Sequence, residues 1–240
     1  METTASGWNV IDRAAGVLTR TYEFTRGATA TTFVARLADG KLVVVSPGAR
    51  LPDAALDELT TFGEVGALVA NNGYHHLGQP AWRKRFPAAR AFAPEQALAR
   101  IGKKNREAGT LEPLSALAPL CGDGFGFREV PKTRAGESWF WARLGDGHAW
   151  FASDMLANLP TLPPKFPVRQ LFKWTGSAPG YRVFSLALRL LCKDKKGTLT
   201  LLRDDVTAHP PTVMVPAHGD VLARPSLPDD TRALLDAALR

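Results

Sequence analysis

Three short apolar segments of this sequence each run into a turn that carries histidine or aspartate, two residue types that bind transition metals. Val65 to Ala70 precedes the first turn, which contains His75 and His76. The other two segments lead to Asp154 and to His218. Loops that follow neighbouring strands gather at one edge of a sheet. The pattern therefore favours a β-sheet whose edge collects all four side chains.

Strand and helix patterns alternate along the rest of the chain. Two antiparallel hairpins are predicted, one turning at Asp39-Gly40 and one at Gly145-Asp146-Gly147. The apolar spacing predicts helices, with proline near the start of several: Pro52–Thr61, Pro80–Phe86, Glu95–Ile101, Val183–Leu191 and Pro228–Arg240. Thr198 to Leu202 reads as a short strand or a helix end. Without a repeat or a clear linker, the sequence predicts one α/β (α+β) domain over residues 1–240.

The stretch from Leu159 to Tyr181 is the least regular part of the sequence. It contains five prolines and two glycines and is predicted to be a long loop, of the kind that often forms a lid or a binding wall. Its aromatic residues Phe166, Phe172 and Trp174 are predicted to line a pocket. A substrate would enter beneath this loop.

Composition narrows the choice of partners. The formal net charge of +7 favours a small anionic molecule, but the basic residues are scattered and no nucleic-acid-binding signature accompanies them. No apolar run reaches 18 residues, and the first residues lack a secretory pattern, so no membrane partner is expected. Cys121 and Cys192 form no motif, which suits a reducing cytoplasm. The sequence gives no indication of oligomeric state.

The histidines and the aspartate support two interpretations. Two or three imidazoles with one carboxylate make a competent site for Zn²⁺, Fe²⁺ or Mn²⁺. Alternatively, His75 and His76 bond backbone carbonyls in a structural turn, Asp154 caps a following helix, and His218 is a surface loop residue. The two remaining histidines are interpreted as structural or exposed residues: His148 and His209.

The order of these segments resembles the metallo-β-lactamase fold superfamily. The resemblance runs from about residue 31 to about residue 222 and rests on short motifs in a fixed order: Asp39-Gly40, Ser46-Pro47-Gly48, His75-His76-Leu77, Trp82, Phe86-Pro87, Asp154 and Pro216-Ala217-His218-Gly219. A four-layer αββα sandwich is the fold that this resemblance implies.

The resemblance also implies how many metals the chain holds. With its last histidine laid on His76, the superfamily motif HxHxDH places Asn71 and Gly73 at its first two histidines and His75 at its aspartate. The next family histidine falls in residues 130–133, which contain none. The first metal site is therefore expected to be lost.

The second site keeps four capable ligands: His75, His76, Asp154 and His218. This set implies at most one divalent metal, with zinc preferred over iron or manganese. A hydrolase-like enzyme of unknown substrate is the first functional hypothesis. The alternative is a catalytically inactive member that binds a ligand or a partner in the same cleft.

Overall fold

Two β-sheets and a short two-stranded ribbon form the scaffold of the protein. The computed structural model describes residues 2–240. The first sheet contains eight strands in chain order: β1 (Glu2–Thr3), β2 (Asn9–Asp12), β3 (Val17–Thr25), β4 (Ala28–Arg36), β5 (Leu42–Val45), β6 (Val65–Val69), β7 (Arg90–Ala93) and β8 (Glu112–Pro113). Strands β1 to β5 are antiparallel, and β5 to β8 are parallel.

The second sheet has the strand order β15-β14-β11-β10-β9. Strands β11 and β14 are parallel neighbours, and the other pairs are antiparallel. Its strands and those of the ribbon β12–β13 have these bounds: β9 (Phe125–Glu129), β10 (Ser138–Leu144), β11 (Gly147–Phe151), β12 (Leu156–Leu159), β13 (Gly180–Val183), β14 (Pro211–Val215) and β15 (Leu222–Ala223).

Eight α-helices lie within residues 2–240, together with two 3₁₀ turns. The helices have these bounds: α1 (Asp53–Leu59), α2 (Gln79–Arg85), α3 (Glu95–Lys104), α4 (Ala118–Cys121), α5 (Val168–Thr175), α6 (Ser185–Leu191), α7 (Lys195–Ala208) and α8 (Leu227–Leu239). None of them is long and apolar enough to cross a membrane.

The alternation of side chains along the central strands produces four layers. In β5, Val43 and Val45 pack between the two sheets, whereas Leu42 and Val44 pack on the opposite face against α1 and α2. Since successive side chains of a strand point to opposite faces, a strand that is apolar at every position must be covered on both sides.

The second sheet follows the same rule. Phe140 and Phe151 join the core between the sheets. Trp139 and Trp150 pack on the other face, in a cluster with apolar residues of α6, α7 and α8. The layers are therefore helix, sheet, sheet and helix, and the predicted αββα sandwich is confirmed.

The structure corrects three predictions of local structure. The segment from Leu159 to Tyr181 is not a continuous loop, because it contains α5 and the start of β13. The predicted helix Val183–Leu191 begins at Ser185. Residues 198–202 lie inside the 14-residue helix α7, where Asp194 accepts a hydrogen bond from the Gly197 N–H at the first turn.

Candidate metal centre

Three of the four predicted ligands converge at one edge of the sandwich. His75 follows β6, Asp154 follows β11 and His218 follows β14, and one ligand atom from each lies within 4.8 Å of the other two. His75 and Asp154 are buried, and His218 is partly buried. The fourth predicted ligand, His76, is not a member of this group.

Backbone contacts fix the orientation of His218. Its Nδ1 lies 2.7 Å from the carbonyl oxygen of Thr29. Because a carbonyl only accepts, Nδ1 carries the proton, and Nε2 faces Asp154 Oδ1 at 3.2 Å. Burial alone would lower the pKa of His218, but the Asp154 carboxylate and the Thr29 carbonyl outweigh it and raise that pKa. Without an ion between them, this contact is favourable only when His218 is an imidazolium.

His75 is held by a chain of hydroxyl groups. Its Nδ1 lies 2.9 Å from Ser46 Oγ, which lies 3.1 Å from the Tyr22 hydroxyl. Its Nε2 lies 3.4 Å from Asp154 Oδ2. Burial raises the pKa of Tyr22 to about 12, so this phenol keeps its proton at neutral pH. Both histidines therefore bond through Nδ1 to a fixed group and present Nε2 to the carboxylate.

Asp154 lies between the two imidazoles. Its Oδ2 accepts a hydrogen bond of 2.8 Å from Asn72 Nδ2, while within residues 2–240 its buried Oδ1 has no hydrogen bond of good geometry. Burial alone would raise the pKa of this carboxyl, but His75 and His218 outweigh burial and hold it well below its ordinary value. The carboxylate is ionised at neutral pH. No helix follows it, so the capping interpretation of Asp154 is wrong.

A second buried carboxyl, not identified from the sequence, lies behind the first. Glu137 is fully buried and accepts hydrogen bonds from Asn72 Nδ2, the Ser138 N–H and the Ser153 hydroxyl. Burial raises its pKa well above the ordinary value, and the negative charge of Asp154 adds to the effect. The only sign of this residue in the sequence is that a single glutamate directly precedes the aromatic strand β10. Asn72 thus connects the two carboxyl groups.

His76 points to a different neighbour. Its Nδ1 lies 3.2 Å from Asn105 Nδ2, which also donates to the His76 carbonyl oxygen. Burial lowers the pKa of His76, and the charge on Arg100 lowers it further. The contacts of His76 are therefore explained without a metal, because a neutral imidazole can accept a hydrogen bond from the Asn105 amide.

Two residues beside the centre have left-handed backbone conformations. Ser46, which contacts His75, has φ = 55°, and Ser153, which precedes Asp154, has φ = 52°. For residues other than glycine such conformations cost about 1–3 kcal/mol each, and they persist where the surroundings determine them. Both turns are shaped by their side-chain contacts, and Ser153 donates to Glu137.

A cavity of about 330 Å³ opens directly onto the three ligands. Its wall is mainly apolar and aromatic, with His75, Asp154 and His218 among the residues that line it. The apolar wall includes Phe24, Tyr74, Leu77, Phe172, Phe184 and Leu190. Of the three aromatic residues predicted to line a pocket, only Phe172 does so; Phe166 and Trp174 are exposed instead.

Comparisons with known proteins identify the fold. No family model matches the sequence, and no curated protein matches it. Among solved structures, TMB-1 superposes with a TM-score of 0.58 at 11% identity, covering 97% of this chain and 98% of the other. FIM-1 from Pseudomonas aeruginosa, in its mono-zinc form, gives 0.58 at 14% identity, with coverage of 97% and 96%. The chain has the metallo-β-lactamase fold.

The flavodiiron core of Flv1 from Synechocystis sp. PCC6803 shares this fold more distantly. Its TM-score is 0.55 at 14% identity, and the match covers 92% of this chain and 58% of the other. The metallo-β-lactamase fold therefore supports proteins of different chemistry, and the fold alone does not define what this chain does.

The two positions that the resemblance aligns with the first two motif histidines, Asn71 and Gly73, are closely packed. Asn71 Nδ2 donates to Ser153 Oγ at 2.6 Å. A Cβ atom on Gly73 would lie 2.7 Å from the Ala135 carbonyl oxygen and 2.7 Å from Arg100 Cδ. Residues 2–240 contain no second cluster of three metal-capable side chains.

Proposed function

We propose that the protein is a hydrolase-like protein with one divalent metal, held by His75, Asp154 and His218. The observation that carries the proposal is that three side chains from three separate turns place their ligand atoms within 4.8 Å of one another. Zinc is the ion that this donor set favours, and iron and manganese accept the same donors. The mono-zinc form of FIM-1, which has the same fold, supports a site with a single ion.

The spacing of the donors fits a metal. Two ligands that are each about 2.0–2.1 Å from a tetrahedral zinc are about 3.3 Å apart. His75 Nε2 lies 3.4 Å from Asp154 Oδ2, and His218 Nε2 lies 3.2 Å from Asp154 Oδ1, so each histidine is at ligand spacing from one oxygen of the carboxylate. A cation would also provide a partner for the buried Asp154 Oδ1. Hydrogen bonds at Nδ1 of both histidines are the usual support for imidazole ligands.

The residues of the chain determine what this site does. A bound divalent metal acts as a Lewis acid that polarises a carbonyl oxygen and lowers the pKa of water. Ser46 and Thr29 orient the two imidazoles, and Asn72 orients the carboxylate. Tyr22 lines the cavity with a protonated hydroxyl that donates hydrogen bonds.

The apolar wall of the cavity favours a largely apolar substrate. Among residues 2–240, no lysine or arginine lines the cavity, so the net positive charge that favours an anionic molecule lies elsewhere on the protein. The volume of about 330 Å³ is at the lower end of the range for small-molecule sites, about 300–1,000 Å³. An ester, lactone or amide of an apolar acid fits this wall, with its carbonyl group at the three ligands.

A binding protein without turnover is the second candidate function. The observation that favours it is that Asp154 is the only acidic side chain lining the cavity within residues 2–240, and it is already used as a ligand. Glu137 is fully buried behind it and does not line the cavity. A general base for water is therefore missing from the wall.

Metal analysis tests the site. Protein purified without added metal is expected to carry, or to take up, one zinc ion per chain. Asp154→Ala and His218→Ala are expected to lose it, and His209→Ala, which changes a histidine outside the site, retains it. His76→Ala distinguishes three ligands from four, since it loses the metal only if His76 is the fourth ligand. A wild-type protein that takes up no divalent metal contradicts the proposal.

A hydrolysis assay separates the two functions. The metal-loaded protein is assayed with chromogenic esters and lactones of apolar acids, with Asp154→Ala as the inactive control. Turnover that disappears in the control supports the hydrolase. Saturable binding of the same compounds without turnover supports the binding protein.

A further inference from the structure

The basic residues are scattered along the chain, but the excess of positive over negative charge is concentrated in one segment that lacks acidic residues. Residues 155–193 contain six basic side chains and no aspartate or glutamate. The other 201 residues carry 24 basic and 23 acidic side chains, so this segment holds nearly the whole net charge of +7. We call residues 155–193 the basic segment. Its cations are all exposed: Lys165, Arg169, Lys173, Arg182, Arg189 and Lys193.

None of these six cations forms an ion pair within the part of the chain that the structure describes, residues 2–240. Elsewhere in residues 2–240, nine lysine and arginine side chains pair with a carboxylate; for example, Arg128 pairs with Asp205 and Arg90 with Glu112. The cations of the basic segment are thus free to bind an external anion.

The same segment exposes large apolar side chains. Helix α5 has no buried residue, and Val168, Leu171 and Trp174 recur on it at every third position. Trp174 is 76% exposed, and Phe166, just before the helix, is 84% exposed. Residues spaced by three lie on one side of a helix. Arg169 and Lys173 follow the apolar positions, so α5 is an amphipathic helix with a basic face.

The cavity lies beside this surface. Phe172 of α5 packs against Phe184, with ring centroids 5.4 Å apart, and both rings line the cavity. Leu190 of α6 lines the cavity and is 61% exposed. Exposed apolar groups therefore continue from α5 to the rim of the cavity.

We propose that α5, with Phe166, Leu190 and the six cations of the basic segment, docks on an anionic membrane surface. The protein lies on the bilayer and does not span it. An amphipathic helix with tryptophan and phenylalanine on one face and basic residues on the other binds at the boundary between headgroups and acyl chains. Each lysine or arginine near an anionic surface adds to this attraction.

Two other partners share part of this chemistry and fit it less well. Nucleic acid would use the cations but leaves Leu171 and Val168 exposed, because a phosphate backbone offers no apolar surface for them. An acidic protein would need a matching groove for a helix of only eight residues. A lipid surface accommodates the cations and the apolar groups together, and its acyl chains lie next to an apolar cavity.

Vesicle binding tests the proposal on the full chain. We compare vesicles of phosphatidylcholine alone with vesicles in which about a third of the lipid is phosphatidylserine. Co-sedimentation is expected only with the anionic vesicles and should weaken as salt increases. Trp174 is a specific reporter, since Trp8, Trp82, Trp139 and Trp150 are buried and Trp141 is partly buried. Its emission should shift to the blue, and Trp174→Phe should lose most of that shift.

Charge variants supply the matched comparison. Changing Lys165, Arg169 and Lys173 together to glutamine should weaken binding by on the order of a hundredfold. The control changes an equal number of exposed, unpaired cations outside the segment: Lys84, Arg106 and Arg143. It should retain most of the binding. All six positions are on the surface, so circular dichroism is expected to show folded protein in both cases.

Four outcomes would overturn the proposal. They are the absence of binding to anionic vesicles, equal binding to neutral ones, equal weakening by the control, and tighter binding of a single-stranded oligonucleotide at the same salt concentration. Metal content does not enter these measurements, so the docking surface and the metal site can fail independently.

Discussion

Replacing Gly73 by alanine tests the close packing at the position that the resemblance aligns with the second motif histidine. The added Cβ would lie 2.7 Å from the Ala135 carbonyl oxygen and 2.7 Å from Arg100 Cδ, both well inside normal contact distance. Neither neighbour moves easily. The Ala135 oxygen accepts the Gly73 N–H at 2.8 Å, and Arg100 Nε donates to the Gly73 carbonyl at 3.0 Å.

The cost follows from forced overpacking. Inserting a carbon into a well-packed site typically reduces the free energy of unfolding by about 1–3 kcal/mol. The φ angle of Gly73 is not in the left-handed region, so the loss arises from the contact and not from the backbone conformation. With a urea slope near 3 kcal/mol/M, the unfolding midpoint should fall by roughly 0.3–1 M.

Gly102 provides a matched control in helix α3. A Cβ at this position has no neighbouring heavy atom within 4 Å. Alanine is favoured over glycine inside a helix by about 1 kcal/mol, so Gly102→Ala should raise the midpoint. Urea unfolding followed by circular dichroism measures both variants. Equal midpoints for Gly73→Ala and the wild type, with Gly102→Ala behaving as stated, would show that the region around residue 73 is not closed.

Two further predictions concern the N-terminal strands and the thiols. Hydrogen bonds from Ser6, and then from Thr4, lower the pKa of Glu58 below its ordinary value of 4.5. The stability that these hydrogen bonds provide is therefore present above pH 4.5, and it is lost as the pH falls through the lower pKa that Glu58 has in the folded protein. Glu58→Gln should reduce the melting temperature at pH 7 and should match the wild type in strong acid. Burial raises the pKa of Cys121 and of Cys192 to about 11. Neither thiol should react with a thiol reagent at pH 7 in the folded protein, and both should react in denaturant; labelling of native protein contradicts the burial of these sites.

The strands and hairpins of the sandwich could be predicted from the sequence because their signals are local, whereas the four-layer arrangement was implied by the resemblance to the metallo-β-lactamase fold superfamily. Apolar runs such as Leu42–Val45 indicate strands covered on both faces, and the two glycine-containing turns indicate hairpins. The convergence of His75, Asp154 and His218 also follows from local patterns, since each residue comes after a strand that ends at the same edge.

Other features depend on tertiary packing. Thr198 to Leu202 alternates like a strand, yet Leu199, Leu202 and Val206 pack together as one face of α7. Helix α5 is short and follows four prolines, so its sequence resembles a loop. The prediction that His76 joins His75 as a ligand remains untested. Adjacent side chains in a turn point in different directions, and here His76 contacts Asn105.

Glu137 was not predicted because its role depends on residues distant in sequence. It receives hydrogen bonds from Asn72 and Ser153, which lie on other turns of the same edge. A lone acidic residue before a strand gives no local sign of complete burial.

The parallel pairing of β11 with β14 bears on how the proposed metal site would respond to the loss of an ion. Phe151 is in register with Val215, and the Ala217 N–H donates to the Ser153 carbonyl oxygen just beyond the strand ends. Backbone hydrogen bonds therefore fix the distance between the turns that carry Asp154 and His218. The Ala217 carbonyl oxygen also accepts a hydrogen bond from the Thr31 N–H. Small metal domains fold only when their ion binds. Here the backbone holds the three side chains together, so an ion bound at the proposed site could be replaced by another through mass action without unfolding, and the metal found there would depend on supply as well as on affinity.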